Sequence, residues 1–357
     1  MTKRIRALVL DDSAICRAQL RDILQAEGDI EVVGEAASGD AVIALIQRTS
    51  PNILLVDLQM PGTGGHATIE QVMANDPLPI LVVTGQPPSR RADAVFESIR
   101  RGALDLAEKP SGADRGAQAR LRSIVRTLSQ VPVVRHVAGK LGRKLDADSL
   151  QRLATSPPPL ASDARVAVIG IGASAGGPTP LAAVLGGLPR DFPCAVAVVQ
   201  HLPPGFGLAF AEFLRSRTPL AVEIPSARSK IGAGTVYLAP DEEHLIAIDS
   251  SHWGLSRAAA IEGCRPAATA LFESLALNFG SRAAGVVLSG MGQDGVAGLA
   301  AMRVLGALTL AQDRESSAVF GMPRAALEAG AAQAAADPPG IVRALLAWAA
   351  IQAPTWK

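Results

Sequence analysis

Three polar residues in the second half of the chain have the types and surroundings of a hydrolytic triad. Ser174 lies in the segment GASAG, which fits the G-x-S-x-G pattern of a turn that presents a nucleophilic serine. His201 directly follows the apolar run CAVAVVQ, and Asp294 lies in the glycine-rich segment SGMGQDG. A histidine can take the proton of a serine hydroxyl while an aspartate holds the imidazole in the required orientation. These residues predict acyl transfer through a serine nucleophile.

The same glycine-rich stretch has a second interpretation. Counted from Gly170, GIGASA fits the G-x-G-x-x-G/A fingerprint of a dinucleotide-binding loop. That fingerprint requires an acidic residue about 20 positions later, at the end of the second strand, where it binds the ribose hydroxyls. Here the second predicted strand ends in Gln200-His201, and Asp191 precedes that strand. The sequence therefore disfavours a nicotinamide-dependent dehydrogenase.

The chain order of serine, histidine and aspartate leaves a rival assignment open. α/β-Hydrolases place the acid before the histidine, and a triad in that order would pair Ser174 with Asp241 and with His244 or His252. Those residues follow TVYLAP in a stretch that is typical of a turn and a hairpin. Ser174 and Asp294 would also be explained as helix N-caps. We expect the triad of Ser174, His201 and Asp294, in which the histidine directly follows a predicted strand.

A second set of reactive residue types lies near the N-terminus. Polar side chains follow successive apolar runs at Asp11-Asp12, Asp57, Thr84 and Lys109. The carboxyl ends of parallel strands share one edge of a doubly wound sheet, so these side chains can converge. The three carboxylates would hold Mg²⁺, which prefers oxygen ligands, while Thr84 and Lys109 would bind the phosphoryl group. Asp57 would then accept that group as an aspartyl phosphate.

The apolar pattern supplies the elements that would position both sets of residues. Short Val/Leu/Ile runs alternate with amphipathic segments over residues 5–129, and the alternation returns from Val166 onward. This rhythm predicts two α/β domains, each with a doubly wound parallel sheet. The expected domains are 1–129 and 164–357. They are joined by a linker, 130–163, that lacks long apolar periodicity and ends in a proline run.

Composition limits the class of protein. A net charge of +1 with 19% charged residues gives no bulk attraction to nucleic acid or to an anionic membrane. Three cysteines without a C-x-x-C pair argue against a disulfide framework and against a thiolate metal site. The apolar run ALVL near the N-terminus is too short for a signal peptide. We expect a cytoplasmic protein that binds no nucleic acid and does not insert into a membrane.

The N-terminal motifs VLDDS, VDLQMPG, VVTG and EKP resemble the response-regulator receiver family over residues 5–129. The resemblance implies a flavodoxin-like sheet and phosphorylation of Asp57 by a histidine kinase, with Mg²⁺ as the cofactor of that step. Receivers often carry an aromatic switch residue three positions before the lysine. This chain has Leu106 there, so it lacks the usual aromatic side chain.

A second resemblance covers residues 166 to about 333. The segments that carry it are GIGASAGG, VVQHLPPGF, VYLAPDEEHL, RPAATALFES, LSGMGQDGVAGL and AQDRESSAVFGMPRAA. They are similar to the catalytic domain of the chemotaxis protein-glutamate methylesterases, the CheB family, which implies a Rossmann-like sheet. Position by position, the resemblance implies Ser174 as nucleophile, His201 as general base, Asp294 as orienting acid and the main-chain N–H of Met291 as an oxyanion donor. The family usually has a hydroxyl residue where this chain has Ala175, so a side-chain donor is absent there.

The two resemblances together imply a regulated enzyme. The implied reaction is hydrolysis of glutamate γ-methyl esters on the cytoplasmic helices of chemoreceptors, which releases methanol, and the related deamidation of receptor glutamines. The esterase reaction is expected to need no cofactor. Because the receiver and the esterase share one chain, we expect a histidine kinase to control the esterase through Asp57.

Overall fold

The computed structural model describes residues 4–85, 92–131 and 166–353. The chain divides into two compact units, Met1–Gly139 and Lys140–Lys357. The domain boundaries expected from the sequence stay predictions, because the linker assigned to 130–163 lies outside the described residues except for its first two positions. Among the helices of the described ranges, none is long and apolar enough to cross a membrane.

The described residues of the first unit form five strands and five helices in alternation. The strands are β1 (Ile5–Leu10), β2 (Ile30–Ala36), β3 (Ile53–Val56), β4 (Ile80–Thr84) and β5 (Asp105–Glu108). The helices are α1 (Ala14–Gln25), α2 (Val42–Thr49), α3 (Gly65–Asn75), α4 (Ala92–Arg100) and α5 (Arg115–Leu128). The strands form one parallel sheet in the order β2-β1-β3-β4-β5. This order is the flavodoxin-like topology that the resemblance to the receiver family implies, and it confirms the doubly wound parallel sheet predicted from the apolar pattern.

The composition of the central strands explains why they lie inside the unit. Every residue of β3 and β4 is buried, and both strands are runs of Ile, Leu and Val with a terminal Thr84 in β4. Parallel strands that are covered by helices on both faces lack the polar alternation of a half-exposed strand. The first helix begins where the side chain of Ser13 accepts the N–H of Cys16, which satisfies one free donor of the helix end.

The carboxyl group of Asp105 is buried in this sheet, and among the described residues no cationic side chain stabilises its charge. Asp105 begins β5, is 7% exposed, and accepts the backbone N–H of Leu106 at 2.9 Å. Burial raises the pKa of Asp105 to about 7, and the hydrogen bond from Leu106 opposes the shift only partly. The folded unit therefore holds a proton that the unfolded chain releases near its ordinary carboxyl pKa.

We predict from this carboxyl group that the first unit loses stability as the pH rises from about 4 to 7. A carboxyl group whose pKa is higher in the folded state than in the unfolded state stabilises the fold at pH values below the unfolded-state pKa. That contribution is lost as the pH rises through the folded-state pKa. The total effect is on the order of a few kcal/mol, because each unit of pKa difference corresponds to about 1.4 kcal/mol. Asp105→Asn should remove this dependence. Hydrogen exchange of β4 and β5 peptides in the full chain measures it.

The control for this experiment is Asp22→Asn, because Asp22 is exposed on α1. At pH 8 the Asp105→Asn variant should protect the amides of the first unit better than the wild type does, whereas Asp22→Asn should match the wild type. Equal protection in the wild type and Asp105→Asn at every pH would show that the buried carboxyl does not govern stability.

Over the described residues 166–353, the second unit contains nine strands. They are β6 (Val168–Ala173), β7 (Ala195–Gln200), β8 (Ala221–Glu223), β9 (Thr235–Leu238), β10 (His244–Ala247), β11 (Trp253–Ser256), β12 (Ala283–Val287), β13 (Leu308–Gln312) and β14 (Ala334–Ala336). The helices of the same described range are α6 (Pro178–Gly186), α7 (Gly207–Arg215), α8 (Ala268–Phe279), α9 (Val296–Val304), α10 (Met322–Glu328) and α11 (Pro338–Gln352), with a short 3-10 helix at Gly280–Arg282. Seven strands form a parallel sheet in the order β14-β13-β12-β6-β7-β9-β8, and β10 pairs with β11 as an antiparallel hairpin.

The sheet confirms the predicted doubly wound class and adds two strands to it. The sequence pattern predicted β6, β7, β9, β12 and β13, whereas the three-residue edge strands β8 and β14 are too short for a clear apolar run. The strand order reverses between β6 and β12, which are neighbours in the sheet. In open α/β sheets the crevice at such a reversal, outside the carboxyl ends of the strands, is where ligands bind.

Two glycines of β6 show what the glycine-rich stretch does. A Cβ added to Gly170 would lie 2.7 Å from Cδ1 of Leu275, and one added to Gly172 would lie 2.6 Å from Cβ of Ala268. Both glycines lie inside the strand and let α8 pack closely on the sheet. They are therefore not the loop glycines that would bind the phosphates of a dinucleotide. This agrees with the end of β7, where Gln200 and His201 stand in place of the acidic residue that would bind the ribose hydroxyls.

Candidate functional site

Ser174 lies directly after β6 on a tight turn into α6. Its N–H donates to the carbonyl of Ser289 at 3.0 Å, and its carbonyl accepts the N–H of Gly177 at 2.8 Å. Gly176 has a φ of +68°, and a Cβ there would lie 2.7 Å from Cβ of Ala318. The left-handed residue of the turn is thus the glycine two positions after the serine. Within the described residues, the hydrogen bonds at Ser174 all use its backbone atoms.

The loop after β12 approaches this serine closely. A Cβ on Gly290 would lie 2.9 Å from Cβ of Ser174, so only glycine allows the approach. The carbonyl of Gly290 accepts the N–H groups of Gly321 and Met322 at 3.0 and 2.8 Å, which fixes the loop. Met291, the oxyanion donor implied by the family resemblance, is the next residue. Its role stays a prediction.

His201 and Asp294 are hydrogen-bonded to each other at the same edge of the sheet. The Nε2 of His201 lies 2.8 Å from Oδ2 of Asp294. The backbone N–H of His201 donates to the carbonyl of Ala173 at 2.9 Å, which places it beside the turn that carries Ser174. The structure therefore brings the three predicted residues to neighbouring strand ends, and joins two of them directly.

Asp294 is held by the amino end of a helix. It is 2% exposed and accepts the N–H groups of Ala268 at 2.7 Å and Thr269 at 3.0 Å, at the start of α8. The free N–H groups and the dipole of a helix N-terminus stabilise negative charge. Asp294 is therefore anchored to a different element from the loop that carries it, which fixes the direction of its bond to His201.

The charged forms of His201 and Asp294 stabilise each other. Burial by itself would lower the pKa of His201, but the hydrogen bond to Asp294 and the contact with Cys264 outweigh it and raise that pKa to about 9. Burial would raise the pKa of Asp294, whereas the hydrogen bonds from His201, Thr269 and Ala268 hold it below its usual value. The site thus stabilises an imidazolium next to a carboxylate, so the ring must release this proton to solvent before it can act as a general base.

Two further residues at the site were not found by sequence reasoning. Gln200 is 3% exposed, and its Nε2 donates to the carbonyls of Ser174 at 2.8 Å and His201 at 3.1 Å, so it ties the two segments together. Its signal was a polar residue at the end of a buried apolar strand. Cys264 lies with its Sγ 3.7 Å from Nδ1 of His201. Its sequence context gave no signal, because it is 63 positions from the histidine.

The two nitrogens of His201 have different neighbours. Asp294 binds Nε2, which leaves Nδ1 as the nitrogen that can receive a proton from a serine. In the serine-protease triad the aspartate binds Nδ1 and the serine meets Nε2. In this structure Asp294 lies on Nε2 instead of Nδ1.

The rival assignment with an acid before the histidine does not fit the geometry. Asp241 accepts the N–H groups of Gly205 and Gly207 at 3.0 and 3.3 Å. His244 is buried and accepts the N–H of Ala267 on Nδ1 at 3.1 Å. His252 lies in the turn between β10 and β11, directly before β11, and its Nδ1 lies 3.2 Å from Oδ1 of Asp249. Each of these side chains has a local partner of its own.

The explanation of Ser174 and Asp294 as helix caps also fails. The N-cap of α6 is Gly177 and the N-cap of α9 is Gly295, and neither helix has a side-chain cap hydrogen bond. Asp294 binds the start of α8, which is not the helix that follows it in sequence. Both side chains are therefore available for the site.

The predicted acidic pocket of the first unit is assembled at the carboxyl ends of its strands. The Nζ of Lys109 lies 2.6 Å from Oδ2 of Asp11 and 2.6 Å from Oδ2 of Asp57. Carboxylate oxygens of Asp11, Asp12 and Asp57 lie within 4.8 Å of one another. The backbone N–H of Lys109 donates to the carbonyl of Thr84, which is buried at the end of β4.

The donor set of this pocket fits Mg²⁺. Three carboxylates converge on one point, and Mg²⁺ is commonly held by carboxylates together with water and phosphate oxygens. Burial would lower the pKa of Lys109, but the bonds to Asp11 and Asp57 raise it, so the ammonium stays charged beside the carboxylates. Excess negative charge in the pocket is thus balanced by a cation of the chain itself.

The two departures from the family patterns are both buried. Leu106 is 3% exposed in β5, and Ala175 is 6% exposed next to Ser174. Leu106 packs in the core as an aliphatic residue. At Ala175 no side-chain hydroxyl can contribute to an oxyanion hole, so main-chain donors are left for that role.

Comparisons with known proteins agree with this architecture. The model of the CheB methylesterase family matches residues 169–345, and the model of the response-regulator receiver domain matches residues 7–120. A protein-glutamate methylesterase/protein-glutamine glutaminase 2 of Anaeromyxobacter dehalogenans is 43% identical over 96% of this chain and 96% of its own length. A protein-glutamate methylesterase/protein-glutamine glutaminase 4 of Geobacter metallireducens is 37% identical over 96% of this chain and 98% of its own.

Among solved structures, the crystal structure of the CheB methylesterase catalytic domain of Thermotoga maritima is 33% identical, with a TM-score of 0.49, and covers 51% of this chain and 97% of that one. The identity and coverage of the full-length relatives decide the assignment, since they extend over both units. The chain belongs to the CheB family of protein-glutamate methylesterases that carry a response-regulator receiver domain.

Proposed function

We propose that Ser174, His201 and Asp294 hydrolyse glutamate γ-methyl esters on the cytoplasmic helices of chemoreceptors, and deamidate receptor glutamines by the same route. The observation that carries the assignment of residues is the 2.8 Å contact between His201 and Asp294 beside the turn of Ser174, at the strand reversal of the sheet. The names of the family's relatives support both reactions. Methanol release from methylated receptor membranes tests the first of them.

In the first half of the reaction, Oγ of Ser174 attacks the carbonyl carbon of the methyl ester. Nδ1 of His201 takes the hydroxyl proton, and Asp294 stabilises the imidazolium through Nε2. The carbonyl oxygen becomes an oxyanion, for which the main-chain N–H of Met291 is the proposed donor. The C–OCH₃ bond then breaks, the imidazolium gives its proton to the leaving oxygen, and methanol departs from an acyl-enzyme.

In the second half, water replaces the alcohol. Nδ1 of His201 takes a proton from the water as the water oxygen attacks the acyl carbon. The bond to Ser174 breaks, the serine oxygen recovers a proton from the imidazolium, and a glutamate carboxyl is released. With a glutamine side chain the same steps release ammonia in place of methanol. No step needs a cofactor.

The receiver unit supplies the regulation. Asp11, Asp12 and Asp57 would hold Mg²⁺, which neutralises the charge of the phosphoryl oxygens when it is bound. A carboxylate oxygen of Asp57 attacks the phosphorus of a phosphohistidine of the kinase, so that a P–O bond forms and the P–N bond breaks. Lys109 and Thr84 bind the phosphoryl group through their ammonium and hydroxyl groups. The resulting aspartyl phosphate shifts the receiver toward the state that increases esterase activity.

We predict for Asp57→Asn that a small phosphodonor no longer stimulates the esterase. The amide keeps the size of the carboxylate but is not a nucleophile for phosphorus. In the wild type the ratio of rates with and without the phosphodonor should lie between about 5 and 150, the usual range of coupling between two sites. In the variant it should fall to one. Methanol release measures both ratios, and Asp22→Asn is the matched control.

A wild-type-like ratio in Asp57→Asn would mean that the phosphodonor acts elsewhere on the protein. Loss of stimulation in Asp22→Asn as well would indicate general damage to the receiver unit, because Asp22 is exposed on α1 and lies outside the pocket.

We predict for Asp294→Asn a loss of about 10⁴ in turnover, as in a triad that has lost its correct tautomer. The amide NH₂ would donate to Nε2 of His201, which forces the ring proton onto Nδ1. That nitrogen then cannot take the proton of Ser174. The rate of methanol release measures the loss, and thermal unfolding of the variant checks that the first turn of α8 is still folded. A loss below tenfold would make Asp294 a structural residue of the loop.

A further inference from the structure

The His201 ring has a sulfur neighbour on the side that Asp294 does not occupy. The ring nitrogen that is not bound by Asp294, Nδ1, faces the thiol of Cys264 at 3.7 Å. Ligand atoms of His201, Cys264 and Asp294 all lie within 4.8 Å of one another. Imidazole nitrogen and thiolate sulfur are the two ligand types that Zn²⁺ takes most often in proteins, with carboxylate oxygen as a third.

The observed separation matches the geometry of such a site. Zn–S bonds of about 2.3 Å and Zn–N bonds of about 2.0 Å in a tetrahedral arrangement place the sulfur and the nitrogen about 3.5 Å apart. The Sγ of Cys264 and Nδ1 of His201 are 3.7 Å apart, which is close to that separation. Asp294 on the other nitrogen completes a carboxylate–histidine pair of the kind that orients metal-bound histidines.

The loop that carries Cys264 is fixed before any ion binds. Ile261 and Cys264 exchange two backbone hydrogen bonds of 3.1 and 2.8 Å across a turn whose central residues, Glu262 and Gly263, have φ values of 50° and 77°. This is a tight hairpin turn with two left-handed residues. Cys264 itself is half-buried, so it is accessible to a small ion.

Both ends of the same loop are bound by one buried histidine. His244 accepts the N–H of Ala267 on Nδ1 at 3.1 Å, so its proton is on Nε2, which donates to the carbonyl of Ala259 at 3.1 Å. The thiol is therefore presented to His201 by a rigid segment, and a site on rigid elements loses little entropy when it binds.

We propose that Cys264 and His201, with Asp294 behind the imidazole, form a binding site for a thiophilic divalent cation such as Zn²⁺, and that the bound ion inhibits the esterase. An ion on Nδ1 occupies the lone pair that must accept the proton of Ser174, so the base is blocked. The site differs in chemistry from the receiver pocket, whose three carboxylates suit hard ions such as Mg²⁺. Sequence spacing argued against a thiolate site because there is no C-x-x-C pair, whereas the fold brings the cysteine to a distant histidine.

The test compares Zn²⁺ inhibition of the full-length wild type with that of Cys264→Ala and Cys264→Ser, on methylated receptor membranes with Mg²⁺ in excess. Inhibition is expressed relative to the metal-free rate of each protein. The wild type should be inhibited, and a zinc-selective chelator should restore its activity. Both variants should need more than about 100 times as much Zn²⁺ for half-inhibition, since loss of an outer partner alone costs 10- to 100-fold in metal affinity.

A second arm measures binding without activity. Co²⁺ added to the full chain in excess Mg²⁺ should give the near-ultraviolet absorption of a cobalt–thiolate bond in the wild type and in Ser174→Ala, and no such band in Cys264→Ala. Cys16→Ala is the matched control, because Cys16 is also half-buried but lies in the receiver unit. The inhibition arm rests on the proposed esterase function, whereas the Co²⁺ arm does not, so failures of the two proposals are distinguishable.

Two outcomes would overturn the site. The first is equal inhibition by Zn²⁺ of the wild type and both cysteine variants, which would place the ion elsewhere. The second is a Co²⁺ spectrum in which the thiolate band is missing from the wild type or survives Cys264→Ala. A band that disappears in Cys16→Ala would assign the thiolate to the receiver unit and would equally contradict the proposal.

Discussion

Ser174→Ala is expected to reduce methanol release by about 10⁶, the size of the loss when the nucleophile of a serine hydrolase is removed. The fold should be unchanged, because the hydrogen bonds of Ser174 to Ser289, Gly177 and Gln200 use backbone atoms that alanine retains. A thermal melt that matches the wild type, together with the lost activity, would assign the effect to the hydroxyl group.

A fluorophosphonate probe separates loss of the nucleophile from loss of substrate binding. Oγ of Ser174 should displace fluoride and form a P–O bond in the wild type, and the alanine variant should remain unlabelled. Ser251→Ala is the matched control, because Ser251 is exposed on the hairpin of the same unit. Wild-type turnover by a folded Ser174→Ala protein would exclude this serine as the nucleophile.

His201→Gln is expected to lose about as much activity as the serine variant, since the nucleophile and its base act as one unit. Glutamine can keep a hydrogen bond to Asp294, but it cannot accept the serine proton. His252→Gln should leave the rate unchanged, because His252 contacts Asp249 near the exposed hairpin. Steady-state methanol release from the two variants gives the comparison.

The histidine comparison also discriminates between the two possible triads. If His252→Gln were inactive and His201→Gln active, the order of the α/β-hydrolases would be correct and the strand-end assignment wrong. His244→Gln is unsuitable for this purpose, because His244 binds the loop that carries Cys264 and its loss would disturb the site indirectly.

The fold could be predicted from the sequence because both units are built from parallel strands that helices cover on both faces. Such strands are continuous apolar runs, and they are visible as β3, β4, β6, β7 and β12. The edge strands β8 and β14 have three residues each, and β8 is exposed at two of them. An edge strand of that length is too short to be recognised as an apolar run, so its existence depends on pairing with β9 or β13.

The candidate site could be predicted as far as strand ends determine it. Ser174, His201 and Asp294 each follow a strand, and parallel strands place their ends at one edge. Which ring nitrogen of His201 meets Asp294 could not be predicted, because it depends on α8, whose first N–H groups fix the carboxylate. The approach of Cys264 was equally hidden, since it depends on a loop held by His244.

The glycine-rich stretch at Gly170 shows how two sequence patterns can be separated by geometry. Both the nucleotide fingerprint and the serine turn need glycines, but they need them at different positions relative to the strand. Gly170 and Gly172 lie within β6 against α8, whereas Gly176 and Gly177 lie in the turn after Ser174. Only the second pair can shape a loop at the sheet edge, which is where a nucleophile must be presented.

The most direct test of the central claim is methanol release by the full-length protein from receptor membranes whose glutamate methyl esters carry a radioactive methyl group, with and without a small phosphodonor and Mg²⁺. We expect release without the phosphodonor and an increase of about 5- to 150-fold with it. No methanol from methylated membranes under either condition would contradict the proposed esterase. Release at the same rate under both conditions would contradict its control by the receiver.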